Sequence, residues 1–276
     1  MSKTVLITGS SSGVGNATAV LFAQNGWNVI ATARNPGRLH ALEGRQNILT
    51  AELDVQKPQT IEDAIALGIE HFRKIDAVVN SAGFGILGVF ESIGEEKARE
   101  VFDVNVFGVM SVIRAILPHF RQSDAGLIIN VSSGGGIIAL PLLSLYNATK
   151  FALEGFSESL SYELSSQNIA IKLIEPGGIK TDFGKRMSTE FNQSMPVLAY
   201  DDFVKPVMAS FASRISAAEL LSAEDVARTI YGAATDGSEQ LRYMVGDDII
   251  PLIQARSQET ERDYLSLVRE RYVPKK

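Results

Sequence analysis

Residues 5–15 decide the fold, and they read Val5-Leu6-Ile7-Thr8-Gly9-Ser10-Ser11-Ser12-Gly13-Val14-Gly15. The first three residues are a short apolar run of the kind that forms a buried strand, and a helical pattern follows the glycines. Such glycines let a backbone approach a pyrophosphate, whose charge is met by amides and by the positive end of the helix. By itself, however, the spacing Gly-x-x-x-Gly-x-Gly also fits a tight strand-to-helix turn without any ligand.

The same alternation of strand and helix patterns continues along the chain. Apolar strands separated by helices, such as the helix predicted to begin near Pro58, indicate a parallel sheet that is covered on both faces. Right-handed crossovers then lead to a doubly wound arrangement. We therefore predict an α/β fold: a single-domain, doubly wound (Rossmann-type) parallel sheet with helices on both faces. The predicted strands are residues 5–7, 28–32, 48–53, 77–79, 127–131, 169–174 and 243–245.

No internal repeat or low-complexity linker divides the chain, so we predict one dinucleotide-binding and catalytic domain over residues 1–276. Two segments fall outside the alternation. Residues 182–222 are predicted to be an irregular substrate lid, and residues 247–276 a C-terminal extension that packs across an interface, caps the pocket or stays loosely attached. The lid segment is rich in methionine and aromatic residues, namely Phe183, Met187, Phe191, Met195, Tyr200, Phe203, Met208 and Phe211.

The composition excludes several classes of function. Lys+Arg total 26 against 32 for Asp+Glu, a net charge of −6, and nucleic-acid binding needs a basic face instead. The chain has no cysteine, which excludes disulfides, thiolate metal ligands and a cysteine nucleophile. Its 3 histidines are widely separated, so we predict no metal site.

The first residues lack the basic and apolar regions of a signal peptide. No apolar run approaches the roughly 20 residues that cross a bilayer. We therefore expect a cytoplasmic protein without a transmembrane segment, although a peripheral membrane contact stays open.

Chemistry is indicated most strongly by Tyr146 and Lys150, with Ser133 thirteen residues before the tyrosine. Residues four apart on a helix share one face. An ammonium beside a phenol favours the phenolate and lowers a pKa that is ordinarily about 10. The tyrosine then becomes a proton donor and acceptor near neutral pH, and a serine hydroxyl is able to hold the substrate oxygen. A surface Tyr/Lys pair without function is the alternative, and sequence leaves Ser132 as a second candidate hydroxyl.

The end of the second predicted strand bears on the nucleotide. An acidic residue there typically binds the adenosine ribose, whereas arginine accommodates a 2′-phosphate. This chain has Arg34 and no acid at that place, so we predict NADP rather than NAD. A solvated surface arginine is the alternative, and Arg38 is either a second phosphate contact or simply exposed.

Over residues 3–246 these features together resemble the short-chain dehydrogenase/reductase family, in its shorter single-domain subgroup. The resemblance implies that Tyr146 is the general acid for ketone reduction and the base for the reverse reaction. It implies that Lys150 lowers the tyrosine pKa and binds the nicotinamide ribose, that Ser133 polarises the carbonyl, and that Asn105 holds a water linked to Lys150. Hydride would pass directly between the cofactor and the carbonyl carbon. The predicted cofactor contacts are Tyr146 and Lys150, the loop residues Gly9, Ser11, Ser12, Gly13, Val14 and Gly15, the basic Arg34, the adenine contacts Asp54 and Val55, the lining residues Asn80, Ala82 and Gly83, and the nicotinamide seat of Pro176, Gly177, Ile179 and Thr181.

The substrate wall is expected from residues 134–145 and 182–222, which are mostly apolar. We predict a small hydrophobic ketone, aldehyde or alcohol as the substrate, unless these side chains only pack the lid onto its own core. The family resemblance also implies a homodimer or homotetramer. Two other functions stay open, an NAD-dependent epimerase or dehydratase and a catalytically silent NADP-binding sensor.

Overall fold

Seven parallel strands form one sheet in the computed structural model, which describes residues 2–193, 197–217 and 220–273. The order across the sheet is β3-β2-β1-β4-β5-β6-β7, so the winding direction reverses between β1 and β4 and opens a crevice at the carboxyl edge there. The strands are β1 (Thr4–Ile7), β2 (Asn28–Ala33), β3 (Ile48–Glu52), β4 (Ala77–Asn80), β5 (Gly126–Val131), β6 (Ile169–Pro176) and β7 (Arg242–Val245).

Helices cover both faces of the sheet. The first face carries α2, α4 and α5, which share a buried apolar core with alternate side chains of the strands; α1 and α8 share a second core on the opposite face. This arrangement confirms the predicted doubly wound fold. The helices of the described ranges are α1 (Gly13–Gln24), α2 (Pro58–Phe72), α3 (Glu95–Phe102), α4 (Val109–Gln122), α5 (Ser144–Ser165), α6 (Asp182–Gln193), α7 (Asp201–Ala217), α8 (Ala223–Thr235), α9 (Ile250–Gln258) and α10 (Glu261–Tyr272).

The lid segment differs from its prediction, because residues 182–222 are not irregular but contain α6 and α7. Phe183, Met187 and Phe191 recur every four residues, which places them on one face of α6. This four-residue spacing of apolar side chains is visible in the sequence, but the many polar residues between the three positions made a helix difficult to predict. Met195 lies outside the described residues.

A π-helical turn, Asp103–Gly108, joins α3 to α4 and carries the buried Asn105. Such turns occur frequently at functional sites. The continuous stretch Glu95–Gln122 has the length and apolar composition of a membrane span, but half of its most apolar window is buried. Core helices meet the same criterion, so the described residues contain no clear membrane-spanning segment.

The C-terminal extension packs on the loop after β5 and on the lid. Its helices α9 and α10 form an apolar cluster with Ile138 of that loop and with Phe211 of α7. Ser210 and Arg214 of α7 both donate hydrogen bonds to the backbone carbonyl of Arg271, at 3.0 Å and 2.7 Å. The extension therefore lies over the segments that are expected to form the substrate wall.

Candidate active site

Ser133, Tyr146 and Lys150 come together at the carboxyl end of β5. Ser133 follows that strand, and its Oγ accepts a hydrogen bond from the Gly135 amide at 3.0 Å. Tyr146 lies in the first turn of α5, which begins at Ser144. The Ser133 hydroxyl and the Tyr146 ring both border Gly135, where a Cβ would lie 3.3 Å from the Ser133 Oγ and 3.5 Å from a ring carbon of Tyr146. Ser132, by contrast, is buried and its hydroxyl has no partner among the described residues.

Burial governs the protonation of Tyr146 and Lys150. It raises the pKa of Tyr146 to about 12, against a lowering effect of the Ser133 hydrogen bond. It lowers the pKa of Lys150 to about 8, against the opposing charge of Glu154. The Lys150 ammonium lies 5.9 Å from the centroid of the Tyr146 ring and donates to the Val131 carbonyl at 2.9 Å. The lowered tyrosine pKa expected from the sequence is therefore not found in the cofactor-free chain, because desolvation of the phenol outweighs the lowering effect of Ser133.

The side chain of Asn105 joins the π-helical turn by hydrogen bonds to the segment after β4 and to α5. Its side chain accepts from the Phe84 amide at 3.1 Å and donates to the Phe84 carbonyl at 2.9 Å. It also donates at 3.2 Å to the hydroxyl of Thr149, the neighbour of Lys150 in the chain. The side-chain amide is thus occupied by protein groups, and it fixes the segment after β4 against α5.

The glycine-rich loop packs tightly against the segment after β4. Gly9 has a φ of 73°, and a Cβ there would lie 2.9 Å from the Cα of Ala82. The Thr8 hydroxyl accepts hydrogen bonds from the amides of Ser81 and Ala82, both at 3.0 Å. A Cβ on Gly15 would collide with the Gly9 carbonyl. The loop thus forms a cradle in which positions 9 and 15 must be glycine, because a side chain at either position would overlap the neighbouring backbone.

The start of α1 faces that cradle. Ser12 precedes α1 in an extended conformation, and its side chain makes no capping hydrogen bond. The first amides of a helix without a side-chain cap are available to an anion. Gly13 lies beside the Thr181 side chain, with 3.7 Å between its would-be Cβ and the threonine methyl group. The loop and the segment after β6 are therefore adjacent.

Positive side chains surround a cavity of about 430 Å³ at the end of β2. Arg34 and Arg38 are exposed there and have no hydrogen bond or ion pair to any residue the structure describes. Lys57 is the third cation, and it lies 3.9 Å from the Asp54 carboxylate. The cavity is lined by Ser11, Ala33, Arg34, Asn35, Arg38, Asp54 and Lys57. Sequence reasoning missed Lys57, because only the fold brings the loop after β3 beside β2.

Two of the side chains that were predicted to contact the cofactor, those of Asn80 and Val55, point into the protein interior instead. The Asn80 amide nitrogen donates to Asn130 at 2.8 Å inside the sheet. Val55 is buried, and its side chain occupies the space beside Gly108. Their side chains thus support the walls of the crevice. Gly83 lies against Asn105, where a Cβ would stand 3.1 Å from the amide oxygen.

The segment after β6 is fixed by residues far along the chain. Ile179 pairs with Leu221 as an isolated bridge. The Asp248 carboxylate accepts from the Gly178 amide at 2.8 Å and fills the space beside Gly177, next to Pro176. Sequence reasoning missed Asp248, and no local pattern distinguishes it from other acidic residues.

The lid covers Tyr146 with apolar groups. The ring centroids of Tyr146 and Phe183 are 5.8 Å apart with the planes inclined at 63°, and Phe183 and Met187 both lie against Gly85. A larger apolar cluster lies beneath α6 and α7, formed by Leu87, Val89, Leu142, Leu143, Met187, Phe191, Phe203, Val204, Val207, Met208, Phe211 and Val273.

The described residues contain no group of three or more His, Cys, Asp or Glu side chains arranged to hold a metal ion. The arrangement of Ser133, Tyr146 and Lys150 suits proton transfer to an oxygen atom, beside a crevice shaped for a phosphate-bearing ligand.

Comparison with known proteins gives consistent results. The family model for short chain dehydrogenases matches residues 3–192. An uncharacterized oxidoreductase of Schizosaccharomyces pombe is 35% identical over 84% of this chain and 96% of its own length. Retinol dehydrogenase 8 of Bos taurus is 33% identical over 92% of this chain and 85% of its own length. A short-chain dehydrogenase from Streptomyces avermitilis superposes with a TM-score of 0.80 at 30% identity, covering 96% of this chain and 97% of that protein.

Similar structures also contain nicotinamide cofactors. A 3-ketoacyl-(acyl-carrier-protein) reductase from Brucella melitensis complexed with NADH is 26% identical, with a TM-score of 0.73 over 88% of this chain and 96% of its own. A serine dehydrogenase complexed with NADP+ is 27% identical, with a TM-score of 0.73 over 88% of this chain and 93% of its own. These likenesses support a nicotinamide cofactor without distinguishing NAD from NADP.

Proposed function

The chain belongs to the short-chain dehydrogenase/reductase family and is an oxidoreductase, and on this premise we propose that it reduces a hydrophobic ketone or aldehyde with NADPH. The observation that carries the proposal is the Ser133 hydroxyl beside the buried Tyr146, with Lys150 one helical turn further on, at the crevice beside the glycine-rich cradle. The same site would catalyse alcohol oxidation in reverse.

Each side chain has a role that follows from its position. Tyr146 donates its phenolic proton to the carbonyl oxygen, and Ser133 holds that oxygen with a hydrogen bond. Lys150 stabilises the phenolate that remains after proton transfer and orients the ribose. Asn105 keeps the turn, the Phe84 backbone and α5 in register. A nicotinamide cofactor in the crevice would supply the hydride.

The residues of the crevice fit that cofactor. The Cβ positions of Gly9 and Gly15 are filled by the backbone of Ala82 and of Gly9, so only glycine allows the close packing of a loop whose amides would meet a pyrophosphate. Asp54 lines the cavity at the end of β2, and residues 177–181 follow directly after β6. Thr181 lies beside Gly13, which brings the proposed nicotinamide and phosphate sites together.

The preference for NADP is supported by Arg34, Arg38 and Lys57. All three line one cavity at the carboxyl end of β2, where a 2′-phosphate on the adenosine ribose would lie. Arginine pairs well with a phosphate through parallel hydrogen bonds, and two of these cations have no other partner among the described residues. An unphosphorylated ribose would leave three positive charges facing one carboxylate.

A hydrophobic substrate is supported by the side chains over Tyr146. Phe183, Met187 and Leu143 belong to an apolar surface that continues into the cluster beneath the lid. Such a wall binds through apolar contact, and flexible methionines adapt to different shapes. A relative at 33% identity is named as a retinol dehydrogenase, which is consistent with a lipophilic substrate.

The reductive direction is supported by the protonation of Tyr146. Because burial raises the pKa of Tyr146 to about 12, the phenol holds its proton at neutral pH and is ready to donate it. Alcohol oxidation requires the phenolate and should therefore be favoured only at alkaline pH.

We also propose a cytoplasmic homo-oligomer that forms through the helices carrying Asn105 and Tyr146. Phe107, Phe151 and Tyr162 are exposed on these helices, and apolar side chains that are contiguous on a surface mark an association site. Light scattering coupled to size-exclusion chromatography should give a mass that is a multiple of 29.9 kDa.

The proposed activity is tested by NADPH oxidation against a panel of hydrophobic ketones and aldehydes. Tyr146→Phe should lower kcat by about 10²–10⁴-fold, because the general acid is lost, while NADPH still binds. Binding of NADPH without turnover of any carbonyl by the wild-type protein would contradict the proposal and identify a silent sensor.

A further inference from the structure

Two buried carboxyl groups lie behind Lys150 and have no role in the reaction described above. Glu154 is one turn after Lys150 on α5, and Glu175 is at the end of β6; they are 5% and 0% exposed. Both face the same side of the sheet, because Arg242 reaches both. Burial of an ionised carboxylate is costly unless a partner compensates its charge.

Arg242 of β7 forms a hydrogen bond with one of the two buried acids but not with the other. Its Nε donates to Glu154 Oε2 at 3.0 Å, and one terminal nitrogen donates to Glu158 Oε2 at 2.5 Å. Glu175 Oε1 is 3.3 Å from the same Nε, but neither oxygen of Glu175 has a hydrogen-bond partner among the described residues. The guanidinium therefore holds Glu154 and leaves Glu175 without a hydrogen bond.

The charges balance only if one carboxyl is protonated. Arg242 lies within 3.3 Å of Glu154, Glu158 and Glu175, and Lys150 adds one further cation on the Glu154 side, so full ionisation would set three carboxylates against two cations at a site where two of the acids are buried. Glu175 is the most deeply buried of the three acids. Burial and the charge of Glu154 raise the pKa of Glu175 to about 8, although Arg242 opposes the rise.

Glu154 is also placed to act on Lys150. Residues four apart on a helix are neighbours, and both side chains are buried, where salt screens their interaction weakly. The charge of Glu154 counteracts the effect of burial on the pKa of Lys150. The Lys150 ammonium has a neutral hydrogen-bond partner, the Val131 carbonyl, so Glu154 is its nearest source of compensating charge along α5.

We propose that Glu154 is the buried counter-ion that keeps Lys150 charged beside Tyr146, and that Glu175 carries a proton at neutral pH so that Arg242 holds Glu154 in place. Glu154 is thus a positioning residue that acts through Lys150. Its importance for turnover rests on the proposed function, whereas the charge arrangement itself does not.

The charge arrangement is tested by NMR on the full-length, cofactor-free chain. Lysine labelled with ¹³C at Cε reports the titration of Lys150, assigned with Lys150→Met. Glu154→Gln keeps the shape and removes the charge, so the titration midpoint of Lys150 should fall by about one pH unit or more, as expected when an opposite charge is lost. An unchanged midpoint would overturn the proposal.

Two matched variants separate the three acids. Glu158→Gln should leave the Lys150 midpoint in place, because Glu158 is two turns away and about half exposed. Glu175→Gln should also leave it in place, because glutamine resembles the protonated acid. A fall in Glu175→Gln as large as that in Glu154→Gln would show that Glu175 is ionised, and would refute the assignment.

The protonation of Glu175 is also testable on the wild-type chain, so this test does not depend on whether a variant folds. Glutamate labelled with ¹³C at Cδ should show one carboxyl group that is still protonated at pH 6, well above the ordinary glutamate pKa of about 4.3. If every glutamate carboxyl has titrated by that pH, the protonated Glu175 is excluded.

Turnover provides a separate readout. In Glu154→Gln the apparent pKa of the alkaline limb of the kcat–pH profile for reduction should fall by about as many pH units as the titration midpoint of Lys150. The KM for the carbonyl should be unchanged. A merely structural role would lower activity at every pH alike, and this result would overturn the positioning role. A wild-type chain without reductase activity but with the expected titrations would refute the proposed function and leave the charge arrangement standing.

Discussion

At the scale of single residues, the position of a charge decides what it does. Arg34 directly follows β2 and Arg242 begins β7, yet Arg34 has no ion pair within the described residues, whereas Arg242 donates hydrogen bonds to two carboxylates and lies near a third. An unpaired exposed guanidinium is available to an external anion, whereas a paired one is part of the protein's own charge balance. Arg34 is therefore the side chain whose substitution should change cofactor choice.

Arg34→Asp should shift the preference from NADPH toward NADH. Losing a hydrogen bond to a charged phosphate costs about 1.5–3 kcal/mol, so the ratio of kcat/KM for the two cofactors should change by about 10–100-fold. Steady-state kinetics with both cofactors measures the ratio. Arg45→Asp has the same charge change at an exposed arginine outside the cavity, and should leave the ratio unaltered; equal ratios in both variants would refute Arg34 as the phosphate ligand.

At the scale of elements, loops and helices are fixed to the sheet by buried contacts. The Gly9 loop rests on the Ala82 backbone. On the other face, Lys172 of β6 is buried and binds Asp236 at 2.5 Å, just beyond the end of α8. It also donates to the Ala233 carbonyl at 2.8 Å. Each contact joins two segments that are distant in sequence, so each should be measurable as stability.

Gly9→Ala should destabilise the fold by about 1–3 kcal/mol through its positive φ alone, with a further cost from contact with Ala82. Urea unfolding gives the stability, and NADPH titration gives the affinity, which should fall as well. Gly26→Ala is the control: its φ is 79°, but nothing lies within 4 Å of its would-be Cβ. Equal losses in the two variants would show that the close approach to Ala82 is unimportant.

Asp236→Asn should cost about 1–3 kcal/mol at pH 7, because Lys172 loses the ionised partner of its buried ammonium. Hydrogen bonds from Lys172 and Tyr243 lower the pKa of Asp236. A depressed pKa contributes stability that is complete above the unfolded value, about 3.9, and is lost as the pH falls toward the folded value. Urea midpoints of wild type and variant should therefore converge progressively below about pH 4.

The control for this pair is Asp201→Asn. Asp201 and Lys205 are 2.8 Å apart but largely exposed on α7, and exposed pairs contribute only about 0–1 kcal/mol. A loss in Asp201→Asn equal to that in Asp236→Asn would contradict the importance of burial.

At the scale of the whole molecule, the chain folds back on its own active site. Ile249 fills the space beside Gly134, the neighbour of Ser133, and Asp248 binds the segment after β6. Through α9 and α10 the extension then contacts the lid. The C-terminal extension therefore supports both the hydroxyl that is proposed to hold the carbonyl and the proposed nicotinamide seat.

Ile249→Ala should destabilise the protein by about 2–5 kcal/mol and also lower kcat, because Gly134 loses the side chain that positions it. Leu252→Ala removes a fully buried side chain from the same cluster and should cause a similar loss of stability with normal kcat below the unfolding transition. Thermal unfolding and steady-state kinetics on both variants separate the effects. Parallel losses of kcat would show that the extension acts through stability alone.

Much of the fold was predictable because it depends on short patterns. Seven apolar runs correspond to the seven strands, and a proline in a first helical turn marks the start of α2. The spacing of Tyr146 and Lys150 placed both on one helix face. The lid was predicted wrongly as irregular, because the four-residue period of α6 lies among polar residues and its apolar face has no partner until the fold supplies one.

The sequence by itself determined the doubly wound fold, the family and the set of candidate catalytic residues, since strand runs, glycine spacing and helix periodicity are local properties of the chain. Only the tertiary structure decided which serine faces Tyr146, that Lys57 joins Arg34, and that Asp248 and Ile249 reach the site. It also decided the protonation of Tyr146, because desolvation depends on everything packed around the phenol. Charge and burial are sums over neighbours that folding brings together, and no local pattern contains them.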